Sequence, residues 1–92
     1  MEEGSEVARE AIFEIIENQI KANDPPITKE TYDRLRSEGH AHEETMKLIG
    51  CALSVELFEI MKNSEFFNAQ RYATNLKGLP ELPWNESIEQ GI

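Results

Sequence analysis

The chain predicts an all-α fold: a small bundle of about four helices around one long central helix, with an extended C-terminal strap. Three observations carry that expectation. Apolar residues recur every three to four positions through two long stretches, Ser5 to Ala22 and Ala41 to Lys62, the spacing that gathers side chains on one side of a helix. The periodic stretches are broken at "NDPP" (Asn23 to Pro26), at Gly39 and at Gly78-Leu79-Pro80, where left-handed or proline-restricted backbone ends a helix. Nowhere do apolar and polar residues alternate with the period of two that a half-buried strand requires.

In the first stretch Ala8, Ala11, Ile12, Ile15, Ile16 and Ile20 gather on one side, while Glu3, Glu6, Glu10, Glu14 and Glu17 take the other. Phe13 lies on the border. Gln19 is the one polar residue among the apolar positions and needs a hydrogen-bond partner if it is buried. Thr28 reads as the N-cap of a second helix, with Ile27 stapled to Tyr32. That helix ends by Gly39 and offers only Tyr32 and Leu35 as an apolar face. The third helix carries Met46, Ile49, Leu53, Leu57 and Ile60 on its main face, and Leu48, Ala52, Val55 and Phe58 extend the apolar surface well round the cylinder. A helix apolar on two sides must be covered on two sides, which predicts a homodimer. Asn68 then caps a fourth helix through Lys77, Phe67 staples to Tyr72, and Gly78 stands where a left-handed cap belongs. "LPELPW", Leu79 to Trp84, follows as the strap. Residues 1–84 form the single domain, and 85–92 a loose tail.

A length of 92 residues supports one domain with one core, and 39% hydrophobic residues in this pattern are too many for a disordered chain. Acidic residues outnumber basic ones 18 to 9, for a formal charge of −9. Such a field repels phosphate backbones and anionic lipid, so the expected partners include neither nucleic acid nor membrane. The single cysteine, Cys51, sits in the apolar run "LIGCALSVELFEIM" and reads as a small core hydrophobe, which fits a reducing compartment. The acidic N-terminus lacks the basic and apolar regions of a signal peptide, and no apolar run approaches the roughly 18 residues of a membrane span. The expected location is cytoplasmic.

"GHAHEETM", Gly39 to Met46, holds the only two histidines. A zinc protease helix needs His-Glu-x-x-His; His42 and Glu43 fit, but Met46 stands at the second histidine position, and a thioether is no zinc ligand. A different metal site would use His40, His42 and a nearby carboxylate, Glu43 first and Glu44 or Asp33 as alternatives, with a second copy supplying further ligands across a dimer axis. The bland reading of the same letters is a helix start. Gly39 ends one helix, His40 or Ala41 is a weak N-cap for the next, Glu43 and Glu44 lie at the positive end of its dipole, and His42 is a core-edge histidine bonded to a neighbour. Glu56 interrupts the apolar run near the core-facing side; a buried carboxylate there must meet a donor such as Gln19, Tyr32, Tyr72 or Arg71. Within one helix His42 and Glu56 stand some ~21 Å apart and cannot share a site.

The chain shows neither a glycine-rich phosphate loop nor a nucleophile elbow, so no catalytic residue and no cofactor is nominated. Helix–Gly–helix from Thr28 to Lys62 mimics a helix-turn-helix, but its second helix is apolar where a reading helix shows polar side chains. The glutamate stripe on helix one suits a basic protein partner, though such a stripe is more often a solvated face. Taken together, "NDPP", Gly39, "HEETMKLIG", Glu56 and "RYATNLKGLP" resemble a group of short bacterial helical proteins without assigned activity, over about Ile15 to Pro83. The resemblance implies a small helical domain and a further histidine within or beyond the third helix, where Met46 and Leu57 stand instead. The expected function is a non-enzymatic interaction or regulatory module acting as a homodimer; the alternative is a metal-binding protein using His40 and His42.

Overall fold

The computed structural model describes residues 2–83, and side chains from Arg9 onward. Four helices follow in order: α1 (Glu2–Ala22), α2 (Pro26–Ser37), α3 (His42–Asn63) and α4 (Ala69–Gly78). Among the described residues there is no strand. α2 and α3 each pack against all three other helices. The short α2 thus touches every other helix, although Leu35 is its only fully buried aliphatic residue. Its inner face is completed by Thr28 and Thr31, both buried, which a count of hydrophobic letters misses. The expected tail, 85–92, and Trp84 lie outside the described residues, as do the side chains of Glu3, Glu6 and Ala8.

The helix ends follow local chemistry. Asn23 adopts φ +53° beyond α1, and the Asp24 N–H bonds to Gln19 O. Gly39 at φ +107° ends α2, with Gly39 N–H on Arg36 O and His40 N–H on Leu35 O, the paired bonds of a Schellman motif. α2 starts at Pro26, two residues before the expected cap. Proline fits the first turn because its missing N–H has no partner there and its φ is already helical. Thr28 is consequently inside the helix and buried, and the Ile27–Tyr32 staple has no helix start to fasten. α4 is capped as expected: Asn68 accepts from Arg71 N–H at 2.9 Å, and Phe67 meets Tyr72 edge to face at 5.4 Å. Gly78 is not a left-handed cap. α4 stops because Leu79 precedes a proline and takes extended backbone at φ −60°, ψ 145°. Leu79 is buried and Leu82 packs against the core, while the Glu81 N–H bonds back to Gly78 O.

The core joins Ile16 of α1, Leu35 of α2, Met46, Ile49, Ala52 and Leu53 of α3, Tyr72 and Leu76 of α4, and Leu79. Two expectations for α1 shift by a fraction of a turn. Phe13, placed on the border, packs against the core, whereas Ala11 is exposed and Ile15 is 37% exposed. The reason is where α1 meets α3: Ile12 Cγ2 would lie 3.3 Å from a Cβ at Gly50, with Ile16 and Phe13 beside it. A glycine at the crossing lets the helices approach there, and that rolls α1 toward Phe13.

Candidate functional site

The residues singled out from the sequence fall into two places. The first is the buried polar interior. Glu56 is fully buried, and Arg71 of α4 grips it with two donors, Nε to Oε2 at 2.6 Å and Nη2 to Oε1 at 3.1 Å. The Asn68 N–H adds a third bond to Oε1 at 2.8 Å. Burial alone would raise the Glu56 pKa, but the Arg71 hydrogen bonds, the Asn68 N–H and the guanidinium charge together hold it below the ordinary carboxylate range. Of the four donors nominated for Glu56, Arg71 is the partner. With both oxygens engaged, this carboxylate is a clasp between α3 and α4.

Gln19 also finds its partners. Its Oε1 accepts from Thr28 Oγ1 at 2.8 Å and from Tyr72 Oη at 2.9 Å, and Thr28 Oγ1 lies 3.5 Å from the Tyr72 hydroxyl. One amide oxygen thus ties α1 to α2 and α4. Burial raises the Tyr72 pKa, against the lowering effect of its bonds to Thr28 and Gln19; the phenol stays neutral and donates. Thr28 was legible only as a cap, so this trio was half visible in the sequence. Thr45 of α3 is the exception: its Oγ1 is buried and finds no partner among the described residues.

The second place is the α2–α3 joint. Ala41 is the N-cap of α3 and makes no side-chain cap bond. His40 is partly exposed and its Nδ1 lies 3.4 Å from Glu44 Oε1. His42 is exposed, not at the edge of the core, and its Nδ1 stands 2.7 Å from Tyr32 Oη. Arg36 donates to the same hydroxyl at 3.0 Å, so the tyrosine accepts from arginine and its own proton is free for His42. Glu43 points elsewhere, 3.9 Å from Arg9 and 4.0 Å from Lys47. His40, His42 and Glu43 therefore each have a different neighbour, and among the described residues no three metal-ligating side chains converge.

Two features were not read from the sequence. Arg34 of α2 reaches across to the end of α4, donating to Leu79 O at 3.0 Å and to Leu76 O at 3.1 Å. It does the work expected of Gly78. The other feature is apolar exposure. Beyond Glu56, α3 outruns its partners: Phe58 is 55% exposed, Met61 82%, and in the following loop Phe66 is 93% and Phe67 43% exposed. Cys51 is half-buried, not a core residue, and burial raises its thiol pKa. Among the described residues no helix is long and apolar enough to cross a membrane. No family model, curated protein or solved structure matches the chain.

Proposed function

We propose that this protein is a non-enzymatic interaction module of the cytoplasm that works as a homodimer. The observation that carries the reading is the exposure of Phe58, Met61, Phe66 and Phe67 at one end of α3 and in the α3–α4 loop. At ~200 Å² for a fully exposed aromatic, these four offer on the order of 500 Å². That is near the top of the roughly 300–600 Å² range of the largest patch on a monomer and more than half of the ~800 Å² each partner gives to a stable interface. In this reading α3 is the central helix, covered by its own chain on one side and by a second copy on the other, and the run from Leu79 to Pro83 straps the closed side. The polar interior supports a binding role over a catalytic one, since Glu56, Arg71, Gln19 and Tyr72 are all consumed by one another.

Native mass spectrometry of the untagged chain, purified without chelator, tests this directly. A dimer is expected for the native chain and a monomer for a Met61→Glu, Phe66→Ser variant. A native chain that stays monomeric at all concentrations would remove the reading. The alternative, metal held by His40 and His42 from two copies, predicts a metal mass in the same spectrum that His42→Ala abolishes.

A further inference from the structure

Beside the α1–α3 crossing, residues of both helices line a groove of about 330 Å³. Gly50 is part of its lining, at the close approach where Ile12 Cγ2 would stand 3.3 Å from a Cβ. Ile12, Phe13 and Cys51 line the walls, and the Ser54 hydroxyl is turned inward, donating to Gly50 O at 2.6 Å. The lining is thus apolar, and its one hydroxyl is already engaged. The rim carries two cations, Arg9 and Lys47. In a chain of charge −9 that local pairing runs against the whole. Glu43 is the carboxylate beside them, at 3.9 and 4.0 Å, with all three side chains about half or more exposed. Contacts so long and so wet are worth little, so Glu43 holds neither cation tightly.

We propose that this groove binds a medium-chain aliphatic carboxylate, its alkyl chain along Ile12, Phe13, Gly50 and Cys51 and its head between Arg9 and Lys47. Size and charge select that occupant. The volume is at the small-ligand end of binding sites and too narrow for a helix some 10–12 Å across. Charges more than ~8 Å apart are largely screened at physiological salt, while the two rim cations act at contact. The groove shares no lining residue with the exposed Phe58, Met61, Phe66 and Phe67.

Cys51 is the sole cysteine and lies in the groove wall, so its modification rate by a chromogenic disulfide reagent reports occupancy. Decanoate below its micelle concentration is the probe, with decanol and decyltrimethylammonium as neutral and cationic comparators. Decanoate is expected to slow Cys51 modification about tenfold, the factor of one charge-assisted contact, and the comparators far less. In the Arg9→Gln, Lys47→Gln double variant, decanoate should no longer slow the reaction relative to that variant's own unliganded rate. Glu43→Gln, which removes the competing carboxylate from an exposed position, should strengthen it. Absence of protection, equal protection by all three amphiphiles, or protection that survives the double substitution each overturns the proposal.

Discussion

At the scale of single residues, the interior polar groups decide how stability responds to pH and to substitution. The Glu56 carboxyl titrates below its ordinary value of 4.5 in the folded state, so the native state binds fewer protons there than the unfolded chain does. Its contribution is complete above pH 4.5 and is lost as pH falls through the lower folded pKa. Arg71→Met removes the hydrogen bonds and charge that do most to lower this pKa and leaves the Asn68 N–H alone against burial, which raises it. Denaturant titrations between pH 3 and 7 are expected to show stability falling off at higher pH in the variant than in the native chain; unchanged pH curves would separate Glu56 from Arg71. Tyr72→Phe removes one of two donors to Gln19 and leaves Thr28 in place. A loss of about 1 kcal/mol, the net worth of one hydrogen bond, is expected by thermal or chemical denaturation. Thr45→Val replaces a hydroxyl that has no partner among the described residues by a methyl of similar size. Removing an unpaired buried polar group is expected to raise stability by roughly 1 kcal/mol, readable as a higher melting temperature.

At the scale of elements, α4 is the helix with the least of its own to hold it. It has ten residues, shorter than the ~12–15 at which isolated helices become even marginal in water. It is held at both ends by side chains. Asn68 caps its start, and Arg34, reaching across from α2, caps its finish on the carbonyls of Leu76 and Leu79. Arg34→Met keeps the aliphatic stem and removes the donors. The expected cost is about 1 kcal/mol, with amide exchange of Leu76 to Leu79 accelerating before that of α3. Lysine at the same position is not expected to rescue it, because one ammonium cannot reach carbonyls as the planar fork does. Asn68→Ala is expected to cost about 1 kcal/mol at the other end. A variant in which exchange rises uniformly over the molecule would mean that α4 does not open on its own.

At the scale of the whole molecule, the proposed dimer predicts a melting temperature that rises with protein concentration, since association stabilises the folded chain by mass action. Scanning calorimetry over a hundredfold concentration range checks this. A constant value would place the aromatic end of α3 outside any self-association. Four helices of the expected order and near the expected bounds, their left-handed ends at Asn23 and Gly39, and the Asn68–Phe67–Tyr72 start of α4 were all legible in the sequence. Each depends on neighbours within a few positions, where periodicity and cap chemistry act directly. The need of Gln19 and Glu56 for partners was legible for the same kind of reason: a polar residue on an apolar face must be satisfied.

What the partners are was decided only by the tertiary structure. Arg71 lies 15 residues from Glu56, Tyr72 53 from Gln19, and Leu79 45 from Arg34. Such distances in sequence carry no periodic signal, and the pairing is selected by how helices cross. The α1–α3 crossing rolled α1 about Gly50 so that Phe13 turned inward and Ile15 outward, and left Cys51 half-buried in a groove whose lining also includes Arg9 and Lys47; the start of α2 at Pro26 put Thr28 in the interior instead of at a cap. The sequence by itself determined that this chain is helical, where its helices break, and which polar groups must not be left alone. Packing decided which of several chemically equivalent residues met them, because side-chain contact depends on distance in space and sequence spacing reports only distance along one helix.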